Sequence, residues 1–281
     1  YPTSGGANKF LDFIETELVP EVDKRYATQP YRIITGHSLG GLFAIHALMN
    51  RPQLFQSCIA TSPSTWWDDF FVVREAEQFF TKKREFNKTL FFALGDEGGP
   101  MGQGFERLKK IFDSAPPKGF VVKSAHYTDE LHTSTELRGH YAGLRTIFAG
   151  WRVPVDPKTE LPAGGLEGVT QHFRRLSERF GFKVSGEKSI NSLGYRLLGQ
   201  KKYDEAIAAF NRNVEWYPQS ANVYDSLADG LEGAGKRDEA LRNVQKAVEL
   251  GTKNGDPELP AFQRHLDKLL AASKPAEAKA K

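Results

Sequence analysis

Apolar and polar positions in the first half of the chain follow two alternating periodicities. Residues 7–26 place apolar side chains at helical spacing among glutamate and lysine residues, which predicts a helix. Short apolar runs then predict strands, and longer amphipathic or small-residue segments predict helices. The predicted strands are 31–35, 57–62, 89–94 and 120–127, and the helices that follow them are 39–50, 70–86, 105–114 and 136–149. Strands that alternate with helices of this length indicate a parallel sheet covered on both faces.

The second half of the chain becomes entirely helical after a segment rich in proline and glycine, 154–168. In this helical part the motif Asp204-Glu205-Ala206-Ile207 recurs 34 positions later as Asp238-Glu239-Ala240-Leu241. That period, with small residues where paired helices touch, resembles the tetratricopeptide repeat (TPR). Two units cover roughly residues 187–254, and a capping helix is predicted over 262–272.

These patterns predict an α/β fold with a mostly parallel sheet, followed by an all-α domain of TPR-like repeats. We place the sheet-containing domain at 1–153, a linker with a connecting helix at 154–186, and the repeats with their capping helix at 187–272. Residues 273–281 show no hydrophobic periodicity, and we expect them to be a disordered tail.

The sequence Gly36-His37-Ser38-Leu39-Gly40 stands between a predicted strand and a predicted helix. A Gly-x-Ser-x-Gly motif in that position forms a sharp turn that projects the serine hydroxyl above the sheet. The helix that starts after Ser38 offers the backbone N–H of Leu39 and a positive dipole end to an oxyanion. The motif therefore predicts Ser38 as a nucleophile and Leu39 as an oxyanion donor.

A serine nucleophile requires a histidine base and an acid that holds the tautomer of the histidine. In hydrolases with this turn the chain order is serine, acid, histidine, on loops that follow successive strands. The loop after the third predicted strand contains Asp96 and Glu97, and the loop after the fourth contains His132. The sequence predicts His132 as the base and leaves Asp96 and Glu97 as alternatives for the acid. His140 is the rival base, but it lies within a predicted helix that points it elsewhere.

Three aromatic side chains are candidates for contact with a substrate. Trp66 and Trp67 follow the second predicted strand, at the sheet edge that also carries Ser38. Ligands of open parallel sheets bind beyond the carboxyl ends of the strands, so the two indoles could form an apolar wall there. Burial of both beneath a lid is an equally weighted alternative. His37, within the turn, is expected to pack beside the nucleophile.

Composition and charge narrow the function classes. The 281 residues carry a net charge of +3, which favours neither nucleic acid nor an anionic membrane as a partner, and no apolar stretch approaches the ~20 residues of a membrane span. The one cysteine, Cys58, lies in an apolar run, which predicts a buried thiol and leaves the compartment open. No cofactor or metal is expected. His132, Glu136 and His140 share a helical face but lack the zinc motif of two histidines four residues apart around a glutamate.

Four segments together resemble the putative esterase family, which includes enterochelin (ferric siderophore) esterases and esterase D. They are Ser4-Gly5-Gly6-Ala7, Gly36-His37-Ser38-Leu39-Gly40-Gly41, Ser62-Pro63-Ser64-Thr65-Trp66-Trp67, and the segment around His132 with Gly143-Leu144-Arg145-Thr146-Ile147-Phe148. The resemblance covers about residues 1–150. It implies an α/β-hydrolase fold with Ser38 as nucleophile, His132 as base and Glu97, or else Asp96, as acid. Some siderophore esterases of this kind work with a weak or absent third member.

The α/β-hydrolase fold has several strands before the nucleophile strand, and an early loop that supplies the second oxyanion donor. Only about 30 residues precede the nucleophile strand in this chain. We therefore expect a longer native chain, with the missing strands and the second donor upstream of Tyr1.

The predicted function is a serine hydrolase that cleaves a carboxylic ester or lactone through an acyl-enzyme intermediate, with siderophore-type lactones as a substrate class by analogy. A peptidase on the same fold would share this chemistry. The alternative is an interaction protein whose hydrolase half is a scaffold and whose repeats bind a peptide. Because repeat arrays generally need three or more units, we expect these two to dock on the hydrolase domain or on a twin chain.

Overall fold

The computed structural model describes residues 5–82, 84–114 and 116–272, and divides into two compact units, Tyr1–Ala149 and Gly150–Lys281. The predicted disordered tail, 273–281, and Ser4 of the first family segment lie outside the described residues. Among the described helices, none has both the length and the apolar character needed to cross a membrane.

The first unit is built on a parallel sheet of four strands in the order β1-β2-β3-β4, comprising Ile33–His37, Ser57–Thr61, Thr89–Leu94 and Val121–His126. The predicted α/β fold with a parallel sheet is therefore confirmed. In the sheet register Gly36 lies opposite Ala60, and Thr61 lies opposite Ala93. All three loops that carry the predicted chemistry consequently leave the same edge of the sheet, because parallel strands end together.

The helices of the first unit are α1 (Ala7–Phe13), α2 (Val19–Arg25), α3 (Leu39–Asn50), α4 (Trp67–Lys82), α5 (Gly99–Ser114) and α6 (Thr135–Ile147). A π-helical turn, Ile14–Leu18, joins α1 to α2 where the sequence predicts one continuous helix. Helix α5 begins six residues before its predicted start because Gly99-Pro100 opens it. Proline is favoured in the first turn, where its missing N–H is not needed.

The core of the first unit lies around β3, all of whose residues are buried. Phe92 is fully buried, and its ring centroid lies 4.9 Å from that of Phe105 on α5. On the other face, α6 approaches β2 so closely that a Cβ on Gly139 would lie 2.4 Å from Thr61 Cγ2, and one on Gly143 would lie 2.7 Å from Ile59. The two glycines therefore fix α6, and the loop before it, against the sheet.

The chain just after Trp67 has an unusual backbone. Asp68, Asp69 and Phe70 all lie in the left-handed region, with φ between 49° and 59°. Each such residue costs about 1–2 kcal/mol because its Cβ crowds the following carbonyl. Right-handed helical geometry in α4 therefore starts only after Phe70, close to the predicted start of that helix.

The second unit is helical and contains α7 (Gly165–Phe180), α8 (Glu187–Gly199), α9 (Tyr203–Trp216), α10 (Ala221–Gly233), α11 (Arg237–Asn254) and α12 (Leu259–Ala271). Small residues let neighbouring helices approach. A Cβ on Gly194 would lie 2.4 Å from the ring of Phe210, and one on Gly230 would lie 2.8 Å from the same ring. Helices α8 and α10 thus both pack on Phe210 of α9. The TPR-like classification and the domain limits derived from it stay predictions.

Candidate active site

Ser38 lies between the end of β1 and the start of α3, with φ 57° and ψ −120°. This conformation is strained for a residue with a side chain, and strain of this kind is concentrated at functional sites. The turn tolerates no side chain on Gly36, where a Cβ would lie 2.1 Å from the carbonyl oxygen of Gly40. Backbone hydrogen bonds hold the turn: Ser38 N–H donates to Thr61 O, and Ser64 N–H donates to Ser38 O, both at 3.0 Å. The fold therefore presents Ser38 on a fixed turn.

The hydroxyl of Ser38 lies 3.2 Å from that of Ser64. Ser64 is only 2% exposed, so this second hydroxyl is held beside the nucleophile rather than in solvent. The sequence includes Ser64 in a family-like segment but gives no signal for this contact, because it depends on how β1 and β2 end side by side.

Glu97 and His132 form a hydrogen-bonded pair between Oε1 and the ring Nδ1. The second carboxylate oxygen of Glu97 accepts hydrogen bonds from Ser62 Oγ and, at 3.0 Å, from the backbone N–H of Gly95. Burial opposes ionisation of Glu97, but the bonds from Ser62, His132 and Gly95 outweigh it and lower its pKa. A carboxylate therefore faces Nδ1 at neutral pH, which is the arrangement that leaves Nε2 able to accept a proton.

Asp96, the alternative acid, is exposed. Its backbone N–H donates a hydrogen bond to Glu130 O at 2.7 Å. The structure thus brings Glu97 to His132 and leaves the carboxylate of Asp96 outside this contact. The rival base, His140, bonds through Nε2 to the hydroxyl of Thr35 and through Nδ1 to Glu136 O, so it lies apart from the pair.

His37 connects the nucleophile turn to the base. Its Nε2 donates to the backbone carbonyl of His132 over 2.7 Å, and the two imidazole centroids are 4.6 Å apart. In the described part of the chain Ser38 and His132 share no direct hydrogen bond. Hydrogen bonds between a nucleophile and its base are often long in free enzymes and shorten when substrate binds. His37 thereby serves as the link that keeps His132 at the turn.

Leu39 is the first residue of α3, so its N–H has no partner within the helix. An oxyanion bound beside Ser38 would meet this N–H and the positive end of the helix dipole. The Leu39 side chain is 58% exposed and borders an open cleft of about 500 Å³.

The cleft beside Leu39 is predominantly apolar. Its apolar lining includes Trp67, Phe71, Phe10, Phe43 and Leu42. Of the two tryptophans that the sequence offers as substrate contacts, Trp67 lines this cleft. Trp66 does not line it and is 40% exposed.

One polar group in the cleft was missed by the sequence analysis. His46 is buried in its wall, with Nδ1 2.9 Å from Glu75 Oε2 and Nε2 3.1 Å from Asn8 Oδ1. His46 and its two partners lie on three separate helices, so no local motif could reveal the contact.

Two further sequence predictions can be placed. Cys58 is fully buried, and burial raises its pKa well above the usual range of a thiol. The face shared by His132, Glu136 and His140 does not assemble ligands. Within the described residues the single group of this kind is Asp229, Glu232 and His265, in the helical unit.

Comparison with known proteins finds similarity in both fold and sequence. The chain is similar to a solved IroE-like serine hydrolase from Shewanella oneidensis, with a TM-score of 0.56 and 28% identity, covering 72% of this chain and 64% of that one. This similarity concerns both the fold and the sequence.

The family similarity is more specific. Residues 1–90 match the profile of the putative esterase family. The chain is 45% identical over 139 residues to the siderophore triacetylfusarinine C esterase of Aspergillus fumigatus, covering 48% of this chain and 42% of that protein. It is 39% identical over 99 residues to the ferri-bacillibactin esterase BesA of Bacillus subtilis, covering 34% of each. The chain therefore spans less than half the length of these curated relatives, and the resemblance stated above is supported at the level of the family.

Proposed function

We propose that the chain carries the catalytic centre of a serine esterase that cleaves a carboxylic ester or lactone of the siderophore type. The observation that carries this proposal is the Glu97–His132 pair, tethered through His37 to a strained serine turn. Serine, acid and base lie in the chain order that hydrolases with this turn use.

The chemistry follows from the positions of the groups. Ser38 Oγ attacks the ester carbonyl while His132 accepts its proton, and Glu97 stabilises the imidazolium that forms. The N–H of Leu39 binds the developing oxyanion. His132 then returns the proton to the departing alcohol, and water hydrolyses the acyl-Ser38 intermediate with the same histidine as base.

The substrate class rests on the relatives and on the cleft. Two similar proteins are named as esterases of siderophores, and the cleft beside Leu39 offers apolar walls of adequate size for one arm of such a molecule. The division into a hydrolase domain at 1–153 and TPR-like repeats at 187–272 belongs to the same proposal.

Labelling of the full chain by a fluorophosphonate probe tests the nucleophile. We expect rapid labelling of the wild type, and its loss in Ser38→Ala and in His132→Ala. His126→Ala is the matched control, because His126 is an exposed histidine on β4 outside the pair, and this variant should label like the wild type. A folded wild type that does not label, or a His132→Ala variant that labels normally, would contradict the proposal.

A substrate panel then separates the chemical classes. Purified protein is given a ferric trilactone, a ferric hydroxamate ester, a p-nitrophenyl ester and a peptide amide, and products are followed by mass spectrometry. Cleavage of a siderophore ester with kcat/KM well above that of the simple ester supports the substrate class. Preference for the amide would indicate a peptidase, and preference for the simple ester would indicate a general esterase.

A further inference from the structure

We propose that Asp229, Glu232 and His265 form a zinc-binding site that joins α10 to α12 in the helical unit. One ligand atom from each residue lies within 4.8 Å of the other two. The two carboxylates sit three residues apart on α10, so they lie on one face of that helix, and His265 faces them from α12. This site lies outside the residues used by the proposed esterase.

The first observation that points to a ligand is the ring nitrogen Nε2 of His265. This atom is fully buried and has no hydrogen-bond partner among the residues that the structure describes, although the side chain as a whole is 11% exposed. Buried polar atoms are rarely left without a partner, because the desolvation is then not compensated. This nitrogen points between Asp229 Oδ1, at 3.7 Å, and Glu232 Oε2, at 3.5 Å.

The second observation is the state of the other ring nitrogen. His265 Nδ1 lies 2.7 Å from Asp225 Oδ1, so it donates a proton to that carboxylate. In the neutral ring this bond leaves a lone pair on Nε2, directed at the two carboxylates. Metal-bound histidines almost always donate their second N–H to such a partner, which fixes the tautomer and the orientation of the ring.

The separations of the ligand atoms and the acidic groups around them suit Zn²⁺. Two ligands held at 2.0–2.1 Å by a tetrahedral zinc ion are about 3.4 Å apart, close to the separations of Nε2 from the two carboxylates. An imidazole with two carboxylates is a ligand set that zinc accepts, with water in the fourth position. The carboxyl groups of Asp225, Asp229 and Glu232 surround the imidazole of His265, and a site with an excess of acidic groups favours a divalent cation.

Two neighbours define how the site would accept the ion. The ammonium of Lys268 bonds to both carboxylate oxygens of Glu232, at 2.8 and 2.9 Å, and must move aside when zinc binds. Its side chain is 64% exposed, so it can turn into solvent. Tyr195 donates to Asp229 Oδ2 at 2.7 Å, which leaves Oδ1 facing His265.

The test is calorimetric titration of the untagged, chelator-treated full chain with ZnCl₂. We expect a site of one ion per chain, a melting temperature that rises with zinc concentration, and no response to Mg²⁺. Co²⁺ in its place should give the visible absorption bands of tetrahedral coordination.

Asp229→Asn and Glu232→Gln preserve side-chain size, and each should weaken the affinity of this site at least about 100-fold and abolish the thermal response. Asp238→Asn is the matched control, since it removes an exposed carboxylate of α11 outside the cluster and should bind zinc like the wild type. Circular dichroism establishes that each variant is folded. Absence of stoichiometric binding to the wild type, or equal binding by the first two variants, would overturn the proposal and leave an ion-paired cluster only.

Discussion

The strongest prediction concerns replacement of Glu97 by glutamine. Glu97 holds His132 Nδ1 with one oxygen and accepts from Gly95 N–H and Ser62 Oγ with the other. The backbone N–H of Gly95 can only donate. In Glu97→Gln the amide oxygen must therefore occupy the position that faces Gly95, and the NH₂ group must face His132.

This orientation reverses the tautomer of the base. The NH₂ of the glutamine donates to Nδ1, so the ring proton of His132 moves to Nε2, the atom that has to accept the proton of Ser38. In the Ser-His-Asp template the equivalent amide substitution lowers kcat by about 10⁴ with the geometry intact, which corresponds to about 5 kcal/mol of lost transition-state stabilisation. We expect a loss of the same order here.

The assay is steady-state hydrolysis of a p-nitrophenyl ester together with the rate of fluorophosphonate labelling. Asp96→Asn is the matched control, because it makes the same chemical change at the adjacent position, whose carboxylate does not contact His132. We expect it to retain wild-type kcat. Thermal melting of both variants separates a catalytic effect from unfolding.

Two results would refute the reasoning. If Glu97→Gln retained more than a tenth of wild-type kcat, the carboxylate would not set the tautomer of the base. If Asp96→Asn lost as much activity as Glu97→Gln, the acid would not be the residue that bonds to His132.

Three further predictions follow from other contacts. Ser62→Ala removes the hydrogen bond to the Glu97 carboxylate, and a bond to a charged group is worth about 1.5–3 kcal/mol. We therefore expect kcat to fall roughly tenfold with KM unchanged. Unchanged kinetics in a folded variant would show that Ser62 does not position Glu97. The lowered pKa of Glu97 makes its contribution to stability complete above the unfolded pKa of about 4.3 and lost as pH falls through the lower folded value. Urea melts of wild type and Glu97→Gln should therefore converge only as the pH falls below about 4.3; a constant difference would contradict the ionised pair. Trp67→Ala should raise KM for a siderophore ester more than Trp66→Ala, because Trp67 lines the cleft, and equal effects in substrate titrations would argue against that cleft as the binding site.

The nucleophile turn could be predicted because its requirements are local. Two glycines, a serine and the change from strand to helix occur within one short stretch, and the strain at Ser38 follows from them. The choice between Asp96 and Glu97 could not be made this way. Adjacent residues on one loop differ only in which donors they meet, and the donor from Ser62 comes from the end of another strand.

Two departures of the backbone from regular α-helix could not be predicted from the sequence either. The π-helical turn at Ile14–Leu18 interrupts a helical pattern that is itself continuous, and three left-handed residues follow Trp67 without any glycine. Such conformations persist only when surrounding packing determines them, so they leave no local signature. The partners of His265 lie 33 to 40 residues away on another helix, so no local motif indicates this cluster.

The tether from His37 to the carbonyl of His132 has an evolutionary consequence. It spans 95 positions of sequence, yet it anchors the base to the residue directly before Ser38. Loops of that interval that do not carry Ser62, Ser64 or Glu97 can accept insertions and deletions without shifting the base from the nucleophile, provided that β1 and the histidine loop keep this bond. Diversification of the loops that contact substrate is thereby separated from conservation of the reaction.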